Sequence, residues 1–451
     1  MTPLDPLAHQ QLLAADLAHL WHPFTQMAQW PHDEPLIIER AEGNWLFDTQ
    51  GRRWLDGVSS LWVSVHGHRK AELDDAVRAQ LERVAHTTLL GLASVPSIEL
   101  AQALAKVAPP GLSRVFYSDS GSTAVEVAVK MAYQYWQLTG HPEKRRFLAL
   151  EEAYHGDTLG AVSVGGVSLF HDRFRHLLFE VLRVPTPHAY RWPGTDVLGE
   201  SLRQVEQVLA THHHQLAAMV VEPLVQGAAG MLLQPRGWLA GVAELCRRHD
   251  VLLICDEVAT GFGRTGTMFA VEQEGVRPDL MAVAKGLTGG YLPLAATLAT
   301  ERIYQAFLGP FAEARSFFHG HTYTGNPLAC AAALANLRLF ETEDTLTRMR
   351  PAMDELAAGL ERLARHPHVG EVRRKGMMVG VELVRDRATR EPYGYQERLG
   401  FAVCLAARRH GVLLRPLGNV VVLMPPLSLT VEEARLLTTA LEDAVETVTG
   451  H

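Results

Sequence analysis

Cysteine is scarce in this chain of 451 residues. Cys246, Cys255, Cys330 and Cys404 lie far apart and form no CxxC pair, so they read as reduced thiols of a cytoplasmic protein. A basic excess is also missing. Lys and Arg number 42 against 50 Asp and Glu, a formal charge of −8, and nucleic-acid binders need clustered cations to meet phosphates. No apolar run reaches the ~18 residues of a membrane span. The opening Met1-Thr2-Pro3-Leu4-Asp5 has no basic stretch, and Asp5 and Asp16 interrupt the early apolar residues, so no signal peptide is expected. There is no internal repeat and no low-complexity tract. What remains is a soluble globular composition, 47% hydrophobic and 20% charged, in a chain too long for one simple core.

Short apolar runs alternate with helical periodicity. Strands are expected at 114–118, 146–150, 216–222, 251–255, 279–284 and 295–299. Helices are expected at 71–86, with Leu73, Val77, Leu81 and Val84 on one face, and at 122–136, with Val125, Ala128, Val129 and Ala132 in register. Near-continuous apolar strands between helices imply an α/β fold with a mostly parallel sheet covered on both faces. After about residue 338 the texture changes to charged helices such as 343–365, with apolar strands near 377–383 and 420–424. The expected division is a large domain over 61–338 and a smaller C-terminal α/β domain over 339–451. Residues 1–60, with four tryptophans and few helix signals, are expected to pack with the small domain.

Unusual residues stand at the expected strand ends, where parallel sheets bind ligands. Glu222 follows one, Asp256-Glu257 another, and Lys285 ends the run "LMAVA" before Gly286, Gly289 and Gly290. Ser118-Asp119-Ser120-Gly121-Ser122 follows "RVFY" and opens a helix, an arrangement suited to an anion. Singly, these are a snorkelling lysine, a turn and a simple N-cap. Together they supply an amine for a Schiff base, a carboxylate for a pyridine nitrogen and a phosphate cup, the parts of a pyridoxal 5'-phosphate site. Tyr154 in "AYHGDT" is the candidate aromatic face. An ammonium is costly to bury, and a Schiff-base lysine avoids that cost by being uncharged.

The residues that carry this site resemble those of the subgroup III, fold type I aminotransferases. The resemblance runs over nearly the whole chain, through "HGHRKAELDDA" (66–76), "YSDSGSTAVEVAVKMAYQYW" (117–136), "YHGDTLGAVSVGG" (154–166), "DEVATGFGRTG" (256–266) and "FFHGHTYTGNPLACAAA" (317–333). "LWHPFTQM" (20–27) and "KMAYQYW" are similar to the biotin-biosynthesis branch in particular. The resemblance implies ping-pong transfer of an amino group to 8-amino-7-oxononanoate, giving 7,8-diaminononanoate. It implies Lys285 as the Schiff-base lysine and proton shuttle, Asp256 at the pyridine nitrogen, and Gly121 and Ser122 around the phosphate. Tyr154 would face cofactor and substrate, and Arg415 would bind the acceptor carboxylate. Thr322 would reach the phosphate from a neighbouring subunit, and Gly320 would approach substrate across the same interface, which implies a homodimer with composite sites; His321 is a further candidate cofactor contact.

The resemblance leaves the donor open between S-adenosylmethionine and L-lysine. Users of S-adenosylmethionine in this family commonly carry tyrosine, two tryptophans, proline and tyrosine where this chain has Phe24, Leu61-Trp62, His321 and Val422. The local text is more similar to the L-lysine branch. Phe24, Leu61 and Trp62 are therefore candidate substrate contacts. The alternatives are another omega-aminotransferase of the subgroup, a dinucleotide-dependent oxidoreductase, or a binding protein on the same fold. "GFGRTG" (261–266) satisfies the dinucleotide pattern, but no convincing helix follows it, so a loop is expected there. His212, His213 and His214 are adjacent on a polar stretch and read as solvated, with no metal.

Overall fold

The computed structural model describes residues 5–450. Residues 1–4, considered above for a targeting signal, lie outside that range. Seven strands form the central sheet, in the order Leu112–Ser118, Ala295–Thr300, Leu280–Val283, Leu252–Asp256, Leu216–Val221, Arg146–Leu150 and Val181–Val184. Ala295–Thr300 runs antiparallel to both its neighbours, and the other pairings are parallel. The expected α/β architecture with a mostly parallel sheet is what the chain forms.

The strands read as continuous apolar runs because both faces are covered. Met219, Leu253 and Met281 join a buried cluster that extends to Met378, Val421 and Leu437. The alternate residues Ala218, Val220, Ile254 and Ala282 pack on the other side against Val125, Ala128 and Ala132. These last three belong to the helix Gly121–Leu138, which starts where Ser120 caps it through the Thr123 N–H.

Besides the short pair Val225–Gln226 and Leu232–Leu233, two further sheets complete the chain. One contains Val369–Lys375, Met378–Asp386, Val420–Leu423 and Arg415–Leu417. The other contains Ile38–Glu42, Trp45–Asp48 and Arg53–Asp56, and its last place is taken by Val412–Leu413, parallel to Arg53–Asp56. "GFGRTG" is a buried loop in which Gly263 and Gly266 take positive φ. Its Arg264 bonds the carbonyls of Pro425 and Ser64, so the loop ties distant segments together.

Three expectations need correction. Residues 6–19 form a helix, Pro6–His19, started by Asp5 as N-cap with proline in the first turn. That cap was legible, but no apolar stripe supported it, and the helix buries none of its residues. The helix expected over 71–86 ends at Leu81, and only Leu73 and Gln80 are buried. Gln80 turns inward and donates to the Val84 carbonyl at 2.9 Å, which draws the chain off the helical path and leaves Leu81 and Val84 exposed. The stretch 343–365 is interrupted: Asp344 takes a left-handed φ of 44°, and Pro351 opens a separate helix, Arg350–Leu363. Among the described residues no helix is long and apolar enough to cross a membrane.

Candidate active site

A cavity of about 700 Å³ lies at the carboxyl ends of the central strands. Asp256 is the last residue of its strand, and Glu222 and Lys285 come one and two residues after theirs. All three line the cavity with Trp62, Ser122 and Tyr154.

Lys285 has a φ of 31°, a strained backbone value of the kind that persists where a side chain must be aimed. Its Nζ lies 5.5 Å from the Trp62 ring centroid. Burial pulls the amine below its ordinary pKa, while the charges of Asp256 and Glu222 act in the opposite direction. The neutral, nucleophilic form is thereby favoured.

Asp256 is held from two sides. Its Oδ1 accepts the Val258 N–H at 2.9 Å, and its Oδ2 lies 2.7 Å from His155 Nδ1. Both side chains are buried. Burial works against a charged His155, but the hydrogen bond and charge of Asp256 prevail and raise its pKa. His155 thus offers Asp256 a buried hydrogen-bond partner and holds the carboxyl in place inside the fold.

The helix N-terminus closes one end of the cavity. The N–H groups of Gly121 and Ser122 have no partner among the described residues, which leaves them for an anion. A Cβ on Gly121 would stand 2.5 Å from Val258 Cγ1, and one on Gly156 would fall inside the Ser122 side chain. Ser122 Oγ accepts the Thr158 N–H at 3.0 Å and lies 2.7 Å from the Thr158 hydroxyl. Pyridoxal 5'-phosphate fits these residues. Lys285 offers the amine, Asp256 a buried carboxylate and the free N–H pair a phosphate cup, on the same cavity.

Tyr154 donates its hydroxyl to Asp157 at 2.7 Å and stacks on His171, 12° from parallel. Trp62 is placed by an unusual turn. Ser59, Ser60, Leu61 and Trp62 all have positive φ, between 49° and 87°, each costing ~1–3 kcal/mol unless the surroundings impose it. Buried Asp56 imposes it by accepting from the Ser60 N–H at 2.9 Å and the Ser60 hydroxyl at 2.7 Å. Ser59 donates to the Met424 carbonyl at 2.5 Å.

The structure thus brings together Lys285, Asp256, Gly121, Ser122, Tyr154 and Trp62. Leu61, on the same turn, points away and is exposed. Phe24 is exposed too and meets Phe170 edge-on at 5.4 Å, and Phe170 in turn meets Tyr154 at 6.1 Å. Arg415 is half-buried, pairs in register with buried Val422 and is not among the residues that line the cavity, though it is close enough to Tyr154 for their charges to interact. Its guanidinium makes no hydrogen bond or ion pair among the described residues, and burial lowers its pKa. Gly320, His321 and Thr322 do not line this cavity within the single chain. Gly320 and Thr322 are exposed, and His321 Nδ1 lies 3.1 Å from Asp119. Sequence reasoning gave no role to His155, to Thr158 or to Asp56. His155 adjoins the candidate Tyr154, and that adjacency was its one signal.

A model of the class-III aminotransferases matches residues 26–445. The adenosylmethionine-8-amino-7-oxononanoate aminotransferase of Nitratidesulfovibrio vulgaris is 58% identical over 98% of this chain and 82% of its own length. The crystal structure of the enzyme so named from Methanocaldococcus jannaschii is 44% identical, with a TM-score of 0.94 over 97% of this chain and 99% of that one. An amine transaminase from an uncultivated Pseudomonas species, solved with pyridoxal phosphate bound, is 40% identical with a TM-score of 0.89, over 95% of this chain and 98% of that one.

Proposed function

Because the chain belongs to the class-III aminotransferases, a pyridoxal-phosphate-dependent family, we propose that its amino acceptor is 8-amino-7-oxononanoate, in the biotin pathway. The reading is supported by near full-length likeness to relatives bearing that name. The geometric observation that carries it is Arg415. A half-buried guanidinium without a carboxylate of its own suits a substrate carboxylate, which it can bind through two parallel N–H donors.

When bound, pyridoxal phosphate supplies the electron sink for carbanion chemistry at the amine-bearing carbon. The chain's residues do the rest. Lys285, its pKa lowered by burial, takes a proton at Nζ and returns it. Asp256, held by His155 and the Val258 N–H, presents a fixed carboxyl group, and the Gly121–Ser122 N–H groups anchor an anion. Tyr154 and Trp62 wall the opening and restrict water.

We read residues 61–338 as the cofactor-binding domain and 339–451 as the smaller domain, with 1–60 packing against it. The central sheet lies wholly within the first, and Val412–Leu413 pairs with Arg53–Asp56. We further read the enzyme as a cytoplasmic homodimer in which Gly320, His321 and Thr322 serve the partner's site. Exposed Phe311, Phe318 and Tyr323 on the same stretch favour a covered surface there. L-lysine is the donor favoured by Phe24, Leu61, His321 and Val422; S-adenosylmethionine is the donor named for the relatives.

Purified holoprotein given 8-amino-7-oxononanoate and either donor is expected to form 7,8-diaminononanoate, read by mass spectrometry. Turnover of other ketones with none of this product would favour a different omega-aminotransferase specificity.

A further inference from the structure

Glu222 is a buried carboxyl to which the steps above give no task. Its two oxygens are divided between two loops. Oε1 accepts the Tyr154 N–H at 3.0 Å, and Oε2 accepts the Gly227 N–H at 2.8 Å. No cationic side chain is bonded to it among the described residues. A carboxylate at that depth costs several kcal/mol unless hydrogen bonds compensate, and here the compensating donors are the backbone of the cavity walls. Tyr154 lines one side of the cavity, and Ala228, next to Gly227, lines another. A Cβ on Gly227 would stand 3.5 Å from the Trp62 ring, so the Gly227 turn also backs Trp62.

We propose that Glu222 is a positioning residue that couples the two walls of the substrate opening, Tyr154 and the Gly227–Ala228 turn, to the protonation state of its own carboxyl. Ionised, both oxygens accept an N–H strongly and both loops are drawn in. Protonated, one oxygen becomes a donor and accepts far more weakly, so one wall relaxes. The titratable groups facing Glu222 are Tyr154, His155, Asp256 and Lys285. Burial pushes the carboxyl up to about 7, with His155 acting against the rise and Asp256 adding to it. The change of state therefore falls near neutral pH. The inference rests on the chain being an aminotransferase, and not on which donor or acceptor it takes.

The test compares wild-type and Glu222→Gln holoproteins in the amine half-reaction, followed by the visible absorbance of the bound cofactor. Any amine that converts the wild type serves as the probe. The variant is expected to keep its cofactor absorbance. Its KM for amine should rise about tenfold at alkaline pH with kcat changed far less, and the acid limb of its kcat/KM profile should vanish. Glu222→Asp, which restores a carboxyl, should restore that limb. A limb that persists unchanged in Glu222→Gln overturns the proposal, as does a KM equal to that of the wild type. Should the variant not fold, infrared titration of Glu257→Gln holoprotein decides, since that change removes the other buried carboxyl held near 7: a buried carboxyl that still changes state between about pH 6 and pH 8 supports the coupling, and none in that range overturns it. A wild type that converts no amine at all would overturn the aminotransferase premise itself.

Discussion

Trp62 turns the face of its indole toward Lys285, with Nζ 5.5 Å from the ring centroid. A cation over an indole gains ~0.5–2 kcal/mol, but burial draws this amine toward neutrality. The ring therefore acts mainly as a wall that keeps Nζ inside the cavity. Lys285→Ala leaves that wall, Asp256 and the helix N-terminus intact. We expect it to retain cofactor non-covalently and to lose transamination by on the order of 10³-fold or more, measured in single-turnover assays.

Gly156 has a φ of 117°, and any Cβ there meets Ser122. Gly156→Ala should push the Ser122 end of the phosphate cup outward and weaken cofactor retention on dialysis by about tenfold or more. Gly111 has a φ of 103° with nothing near its missing Cβ, so Gly111→Ala carries the left-handed strain of ~1–2 kcal/mol alone. Equal retention in the two variants would show that the Ser122 contact does not matter.

Arg415→Ala should act on one half of the reaction. The acceptor carries its carboxylate far from its ketone, and losing a buried charge partner costs about 2–5 kcal/mol in binding. KM for 8-amino-7-oxononanoate should rise steeply while the donor half-reaction is largely kept. Equal damage to both halves, read by stopped-flow absorbance, would make Arg415 a shared or structural residue.

The donor is open to the same instrument. L-lysine should convert the bound cofactor faster than S-adenosylmethionine does before any acceptor is added. Pocket shape alone discriminates by ~1–3 kcal/mol per missing group, so residual use of the slower donor is expected. Conversion by S-adenosylmethionine with none by lysine would reverse the assignment.

Glu257 adjoins Asp256 but faces the core, where it accepts the Thr260 hydroxyl at 2.5 Å and the Val271 N–H at 2.9 Å. Burial raises its pKa to about 7 despite these bonds. The folded state thus holds a proton that an unfolded carboxyl releases near pH ~4.3. Stability from this group is full at acid pH and falls as pH rises to about 7, by at most about 4 kcal/mol. Glu257→Gln can still accept from Val271 and donate to the Thr260 oxygen. Its thermal midpoint at pH ~8 should match or exceed that of the wild type, with no such gain at pH ~5. A loss of equal size at both pH values would mean that the carboxylate itself is needed.

Much of this was legible because reactive side chains stood at the ends of apolar runs. Lys285, Asp256 and the Ser120-Gly121-Ser122 helix start each interrupted a pattern that core packing alone would continue. The pairing of His155 with Asp256 was not legible, since the two are 101 positions apart and only the sheet order makes them neighbours. Nor was the left-handed turn at 59–62. It contains no glycine, and it exists because Asp56 and the Met424 carbonyl hold it. Leu81 and Val84 kept helical spacing after the helix had ended, and periodicity cannot register a side chain that captures a carbonyl.

The parallel pairing of Val412–Leu413 with Arg53–Asp56 has a consequence for the order in which the protein is made. A ribosome delivers Trp45 and Trp54 long before Val412–Leu413, the strand that finishes their sheet. Until then the edge of Arg53–Asp56 is an open template for any passing strand. The turn that aims Trp62 waits as well, because Met424 arrives later still. The cofactor pocket therefore draws on segments made far apart in time, and a nascent chain stalled short of residue 412 would be a candidate for chaperone capture rather than for loading with cofactor.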